Sequence, residues 1–225
     1  MLSKIKKKIH IIQNIYFKNK FLINKKSYSM DGEDLFITHF FKNKTKGFYV
    51  DVGCYHPIHR NNTFLLHKMG WSGINIDIHQ FSIDLFNFMR PKDFNYNFAV
   101  SNENKVLEMF YQKNLSQIST IDETQAKKVF QGDIKKLKIN SFTLDSILEK
   151  TKLKNIKIDL LDIDVEGTDL KVLQGFSIKK YKPALICVEI HDREIKESNI
   201  YKYLSNFHYE LIWSGVFSHI FKPKV

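Results

Sequence analysis

Cysteine and arginine are scarce in this chain, and long apolar runs are missing. The two cysteines, Cys54 and Cys187, are too few for a disulfide framework or a zinc site. We therefore expect two buried thiols in a reducing, cytoplasmic compartment. Arginine, the side chain that most often reads bases and phosphates, supplies three of the 35 basic residues, so we expect no nucleic-acid partner. No run approaches the ~20 apolar residues of a membrane-spanning helix.

Acidic residues are absent from the first 30 positions, which carry eight lysines. The rest of the chain is nearly balanced, with 27 basic and 24 acidic residues. This pattern predicts a basic N-terminal arm at residues 1–26, without the cleavage site of a signal peptide. The apolar residues that would share one helical face are Ile5, Ile9, Ile12 and Tyr16. Such a helix could pack on the domain, or it could make a peripheral contact with the anionic inner surface of a membrane.

Residues 27–225 have the size and apolar content of one globular domain. Short runs of β-formers alternate with stretches of helical periodicity, which predicts a doubly wound, mostly parallel α/β sheet with helices on both faces. Residues 97–101 are expected to form the third strand of this sheet. A C-terminal hairpin is expected to form an antiparallel edge. The polar stretch at 112–133 fits no strand–helix step, and we interpret it as an insertion or lid where substrate contacts are common.

Acidic residues follow four predicted strands, at points that would meet along one edge of the sheet. They are Asp51, Asp77, Asp164 with Glu166, and Glu189 with His191. Burying carboxylates is costly unless they are paired or bind something, so this edge is predicted to hold a ligand. Asp77 follows Gly53 by 24 residues. That is close to the ~20-residue offset at which a nucleotide-binding βαβ unit presents a carboxylate to ribose hydroxyls.

Residues 159–167 form a second informative stretch, a buried strand that ends in Asp164 and Glu166. In an extended chain, residues two apart project from the same face, so we expect these two side chains side by side. The triplet Asp162-Ile163-Asp164 also has the form with which metal-dependent glycosyltransferases hold a sugar nucleotide. A different interpretation is favoured, in which Asp162 is paired inside the sheet.

Seven short motifs occur in the order and at the spacing of one protein family. They are Ser29-Met30-Asp31-Gly32-Glu33-Asp34-Leu35, Tyr49-Val50-Asp51-Val52-Gly53, Asn62-Thr63, Gly70-Trp71-Ser72-Gly73, Ala99-Val100-Ser101, Thr143-Leu144-Asp145 and Ile163-Asp164-Val165-Glu166-Gly167. Through them the chain resembles the FkbM-type, S-adenosylmethionine-dependent methyltransferases. It departs from them at Cys54-Tyr55-His56-Pro57, where a second small residue is common, and at Asp77-Ile78-His79, where many relatives have Glu-Pro-Asn.

The resemblance implies a class I methyltransferase fold with a seven-stranded sheet and S-adenosylmethionine over the first two strand ends. By position, Asp51 and Gly53 would flank the methionine moiety of this cofactor, and Asp77 would hold its ribose hydroxyls. The other residues assigned to the cofactor are Glu33, Tyr55, His56, Asn62, Thr63, Ile78, Ala99, Val100 and Ser101.

Members of this family mostly methylate hydroxyls, often on sugars. The implied reaction is methyl transfer to a hydroxyl of a nucleotide-activated, lipid-linked or polysaccharide sugar in surface glycan biosynthesis. An alcohol of high pKa needs a base. The candidates are His191, for its pKa, Asp164, for its central position, and Glu166. His191 could instead hydrogen-bond locally. The same side chains could hold Mg²⁺ or Mn²⁺, although a site without metal is favoured.

Two other functions stay open. One is a metal-dependent glycosyltransferase that uses Asp162-Ile163-Asp164, which would not explain the set of Asp51, Gly53 and Asp77. The other is a non-catalytic partner protein that retains the methyltransferase fold. Such a protein would be expected to have lost the acidic cluster at Asp164.

Overall fold

The computed structural model describes residues 2–113, 115, 119–150 and 156–224. Its strands are β1 Phe48–Val52, β2 Ser72–Asp77, β3 Phe94–Asn97, β4 Ala99–Val100, β5 Lys105–Tyr111, β6 Lys135–Phe142, β7 Leu160–Ile163, β8 Leu185–Glu189, β9 Tyr209–Ser214 and β10 Ser218–Pro223. Its α-helices are α1 Leu2–Ile12, α2 Glu33–Phe40, α3 Phe64–Lys68, α4 Gln80–Met89, α5 Glu123–Val129, α6 Leu144–Lys150, α7 Asp169–Gln174, α8 Ile178–Tyr181 and α9 Asn199–Asn206. A π-helix spans Gln13–Lys18 and a 3-10 turn spans Ile195–Glu197.

The main sheet has seven strands in the order β3-β2-β1-β7-β8-β10-β9. The first five run parallel, whereas β10 is antiparallel to β8 and to β9. Because both faces of the central strands are covered, β1 and β7 are buried along their whole length. This order, with its antiparallel C-terminal edge, confirms the predicted class I methyltransferase fold.

Helices pack on both faces of this sheet. On one face, alternate residues of β1 such as Val50 and Val52 join a core with Leu148 of α6 and Val172 of α7. On the other face, Tyr49 packs with residues that include Ile37 of α2. The alternation of β1 side chains between two cores leaves its polar end, Asp51, on the face covered by α2 and α3.

The third strand of the main sheet lies earlier in the chain than the sequence predicted. We expected residues 97–101 to form that strand, but the main sheet uses Phe94–Asn97 as β3. A bend at Phe98 redirects the backbone. Ala99–Val100 then pairs with β6 in a three-stranded sheet of order β4-β6-β5. Ala99 is buried there against Met109 and Ile139 of the β5–β6 hairpin.

The N-terminal arm packs against the domain. Ile11 of α1 and Ile15 of the π-helix are buried in a cluster with residues of α3 and α4. His10 stacks on Phe81 of α4 at a centroid distance of 4.4 Å. Within the part of the chain that the structure describes, no helix has the length and apolar character that crossing a membrane requires.

Candidate active site

A cavity opens at the carboxyl edge of the sheet, above the ends of β1, β2 and β7. It encloses about 650 Å³ of empty space, its open mouth included. Its walls come from the strand ends, the loop after β1, the segment at β4 and part of the predicted lid. The lining residues are Val52, Gly53, Tyr55, Arg60, Ile76, Asp77, Ile78, His79, Phe98, Ala99, Val100, Ser119, Thr120, Ile121, Asp164, Val165 and Thr168.

Gly53 brings two strand ends into contact at the floor of the cavity. Its φ of +86° lies in the left-handed region that favours glycine. A Cβ at this position would lie 1.7 Å from the carbonyl oxygen of Asp164, so no side chain fits unless the end of β7 moves. The backbone N–H groups of Gly53 and Cys54 both donate to the carbonyl oxygen of Ile76 on β2. The backbones of β1, β2 and β7 therefore meet closely here.

Asp77 ends β2 and turns its carboxylate toward the loop after β1. One oxygen accepts from the backbone N–H of Tyr55 at 2.8 Å, and the other accepts from that of His79 at 2.7 Å. Burial raises the pKa of the Asp77 carboxyl, while His79 and the backbone donors oppose the rise. Each carboxylate oxygen has a second lone pair, so Asp77 can also accept from hydroxyls of a ligand.

A buried arginine holds the loop between β1 and α3 from beneath. Arg90, 1% exposed, donates to the carbonyl oxygen of Pro57 at 2.6 Å, to Asn61 at 2.7 Å and to Thr63 at 2.8 Å. Asn61 and Thr63 in turn donate to Asp51. Burial raises the pKa of Asp51 to about 6, and these bonds and Arg90 oppose the rise. Asp51 and Thr63 thus lie beneath the loop and outside the cavity lining.

His56 also bonds within the loop. Its Nδ1 accepts from the backbone N–H groups of Ile58 and His59, each at 3.1 Å. Its Nε2 lies 2.9 Å from the side-chain amide of Asn19, so the arm and the loop are adjacent here. Burial lowers the pKa of His56 to about 3, so the ring is neutral at physiological pH.

Three more residues assigned to the cofactor lie outside the cavity lining. Asn62 donates to the buried Asp162 at 3.1 Å. Glu33 is buried at the start of α2, and Ser101 is buried just after β4. Burial first, and then the charges of Asp51 and Glu33, raise the pKa of Asp162 to about 8. Asp162 is 6% exposed and its side chain is bonded to Asn62, in agreement with the expectation that it is paired inside the sheet.

The structure brings the remaining assigned residues together around the cavity: Gly53, Tyr55, Asp77, Ile78, Ala99 and Val100. Sequence reasoning did not identify His79, whose Nε2 lies 2.6 Å from the hydroxyl of Ser119. Nor did it identify Thr120, which donates to the carbonyl oxygen of Glu166 at 2.9 Å. Ser119 and Thr120 belong to the stretch 112–133, which the sequence analysis interpreted as a lid. That interpretation was the one sequence signal that could have pointed to these two residues.

Thr168 carries a buried hydroxyl without a hydrogen-bond partner among the described residues. The residue is 2% exposed and lines the cavity. A threonine before a helix normally caps it, but Thr168 makes no such bond to α7. An unsatisfied buried hydroxyl costs about 1–3 kcal/mol, and a ligand that bonds to it would remove that cost.

The chain after β7 departs from the extended form. β7 ends at Ile163, and Glu166 has a φ of +54°, in the left-handed region. The expectation that Asp164 and Glu166 project side by side from an extended strand is therefore wrong. The carboxylate of Asp169 supports this turn from below by accepting from two of its backbone N–H groups, each at 3.2 Å.

The turn gathers several carboxylates into one region. Desolvation, and then the charges of Glu189 and Glu166, raise the pKa of Asp164, although its side chain still reaches solvent on the open side. Burial and the charge of Glu189 raise the pKa of Glu166 to about 7, and that of Asp169 to about 7. This concentration of negative charge favours a cationic ligand.

His191 and Glu189 form a pair beside these carboxylates. His191 Nε2 lies 2.9 Å from a carboxylate oxygen of Glu189, and this bond raises the pKa of His191. The side chain of His191 is 45% exposed and that of Glu189 is 11% exposed. Ligand atoms of Glu166, Glu189 and His191 lie within 4.8 Å of one another, a spacing that a divalent cation could bridge. Among the described residues, Glu189 rather than Asp164 completes this group.

Comparisons with known proteins found one matching family model and a solved structure similar to this chain. Residues 51–211 match the family model described as the methyltransferase FkbM domain. Among solved structures, the chain is similar to the TehB-like SAM-dependent methyltransferase from Corynebacterium glutamicum ATCC 13032 Kitasato. That similarity has 12% sequence identity, covers 100% of each chain and has a TM-score of 0.44. No curated protein sequence matches the chain.

Proposed function

Because the chain belongs to the FkbM methyltransferase family, we propose that it methylates a hydroxyl of a sugar-containing acceptor in surface glycan biosynthesis. The methyl donor of this family is S-adenosylmethionine. One observation carries the proposal: a cavity built on Gly53 and Asp77 and an accessible His191–Glu189 pair lie along the same sheet edge. β7 separates β1 from β8 and lies next to both, so the two features are neighbours.

The cavity residues suit S-adenosylmethionine. Asp77 would accept from its ribose hydroxyls, and the apolar side chains of Ile78 and Phe98 would contact its adenine. The unpartnered hydroxyl of Thr168 offers a hydrogen bond from within the wall. The negative region around Asp164 matches the positive charges of a sulfonium and an amino group. When bound, this cofactor supplies an electrophilic methyl group.

His191 would accept the proton of the acceptor hydroxyl. A neutral ring that donates from Nε2 to Glu189 leaves Nδ1 with the free lone pair of a base. The charged ring formed by proton uptake is stabilised by Glu189 and Glu166, which both raise the pKa of His191. Asp164 lines the cavity at the end of β7, on the cofactor side of the His191–Glu189 pair. Asp164 would therefore orient groups by hydrogen bonding.

A sugar acceptor is supported by the surface around His191. The carboxylates of Glu166 and Glu189 can accept from sugar hydroxyls. The ring of Phe217 is 37% exposed and lies 5.2 Å from the ring of His191, so it offers an apolar surface to the carbon face of a sugar. The glycosyltransferase alternative is disfavoured because Asp162 is 6% exposed and bonded to Asn62.

The test is methyl transfer from tritiated S-adenosylmethionine to a panel of nucleotide-activated sugars, with acceptor omitted as the control. We expect label in at least one sugar and an equal amount of S-adenosylhomocysteine. Consumption of a sugar nucleotide with Mn²⁺ and no label would identify a glycosyltransferase instead. Cofactor binding without transfer to any sugar would contradict the proposed acceptor class, and absence of cofactor binding would support a non-catalytic partner protein.

A further inference from the structure

The N-terminal helix exposes an apolar stripe although it already packs on the domain. Ile5 is 50% exposed, Ile9 51% and Ile12 41%. These residues follow one another at intervals of four and three, so they lie on one face of α1. The exposed apolar surface continues past the helix with Phe17 at 73%, Leu22 at 82% and Ile23 at 52%. If this side of the arm packed on the domain, these apolar side chains would be buried.

The stripe points away from the domain. The packed side of α1 and its continuation carries Ile11 and Ile15 in the buried cluster and His10 against Phe81. At about 100° per residue, the centre of the stripe lies roughly 160° around the helix from this packed side. The packed side fixes the orientation of α1, so the stripe is held outward. This arrangement is compatible with both interpretations of the arm, since one face packs on the domain and, among the described residues, the opposite face is exposed.

Lysines border the stripe on both sides. Lys8 lies on one flank of the stripe and Lys6 lies on the other, and both side chains are exposed. The first 30 residues contain eight lysines and no acidic residue. Lys7, on the packed side, pairs with Asp84 of α4 at 2.6 Å. An apolar stripe between lysines is the pattern of helices that lie in the interface of an anionic bilayer.

We propose that the arm docks the protein on the surface of an anionic lipid bilayer. The isoleucine stripe enters the boundary between headgroups and acyl chains, and the flanking lysines contact lipid phosphates. A second copy of the chain fits this surface less well, because two such arms would bring sixteen lysines together and the arms themselves contain no acidic residue. The docking does not depend on the proposed reaction.

Co-sedimentation of the full chain with vesicles tests this proposal. We expect binding to vesicles of phosphatidylcholine with phosphatidylglycerol, weak binding to phosphatidylcholine alone, and weaker binding in high salt. The triple variant Ile5→Ser, Ile9→Ser, Ile12→Ser should lower the partition coefficient about tenfold or more. The control Val216→Ser removes one apolar side chain of 67% exposure elsewhere and should bind like the parent.

Two results would overturn the proposal. Equal vesicle binding of the triple variant and the parent would show that the stripe does not enter lipid. A parent chain that is dimeric by light scattering, with a monomeric triple variant and no vesicle binding, would assign the stripe to self-association. Circular dichroism of each variant reports folding, and the substituted side chains are outside the buried clusters, so the folded state should be retained.

Discussion

Replacing Glu166 with glutamine should stabilise the protein at alkaline pH and leave its stability unchanged in mild acid. Burial and the charge of Glu189 raise the pKa of Glu166 from its ordinary value of 4.5 to about 7. At a pH below the pKa of the unfolded state, the carboxyl is protonated in both the folded and the unfolded protein and contributes nothing to the free energy of unfolding. Between the two values the folded state binds more protons than the unfolded state, so stability falls as pH rises. At a pH above the pKa of the folded state, the charged carboxylate destabilises the folded protein by the full amount.

The size of this cost follows from the two pKa values. The shift from 4.5 to about 7 corresponds to about 3 kcal/mol at about 1.4 kcal/mol for each pKa unit, which is an upper limit. Because the side chain is only partly buried, solvent screening lowers the expected stabilisation by Glu166→Gln to about 1–2 kcal/mol at pH about 8.

Urea denaturation of the parent and of Glu166→Gln at about pH 4.5 and about pH 8 measures this difference. Glu149→Gln is a matched control, since Glu149 lies on α6 with a side chain 59% exposed; it should change stability by less than about 0.5 kcal/mol at both pH values. A stabilisation by Glu166→Gln of the same size at both pH values, or a loss of stability at alkaline pH, would refute the reasoning.

Three further predictions concern the site. Thr168→Val should stabilise the free protein by about 1 kcal/mol, measured by thermal melting, because it removes an unsatisfied buried hydroxyl. It should weaken S-adenosylhomocysteine binding about fivefold, measured by calorimetry. Unchanged affinity would mean that the hydroxyl contacts no cofactor. His191→Gln should lower kcat about 100-fold and leave cofactor affinity nearly unchanged, whereas His39→Gln, an exposed change on α2, should be silent; loss of cofactor binding in His191→Gln would instead make His191 a cofactor residue. EDTA should leave turnover intact, and loss of activity restored by Mg²⁺ or Mn²⁺ would assign the group of Glu166, Glu189 and His191 to a metal.

The order of strands and helices could be predicted because each central strand is short, apolar and followed by a turn residue. Gly53 and Asp77 could be placed at one edge because parallel strands of one sheet end together. The third strand was misplaced because Asn97 to Ser101 has the same apolar character as a central strand. Local pattern does not show that the backbone bends at Phe98 and joins another sheet.

The site was predicted less completely than the fold, since loop side chains depend on contacts that are distant in sequence. Arg90 lies 33 residues from Pro57 and yet fixes the loop that contains it. Its bonds place Asp51 and Thr63 beneath the cavity floor, although their positions in the motifs suggested cofactor contacts. Glu166 was identified as a candidate, but its position relative to Asp164 was predicted wrongly, because its left-handed φ of +54° ends the two-residue alternation on which that expectation depended.

Calorimetric titration of S-adenosylhomocysteine into the parent and Asp77→Asn tests the central claim most directly. The parent should bind one equivalent with micromolar affinity at the cavity between β1, β2 and β7. Asp77→Asn retains one acceptor oxygen for the loop but sets an amide NH2 against the other backbone N–H, so thermal stability should fall. Affinity, measured at a temperature where circular dichroism shows the variant folded, should fall about tenfold or more. Absence of binding by the parent, or equal affinity of both proteins, would contradict the account of Asp77 and this cavity as the cofactor site.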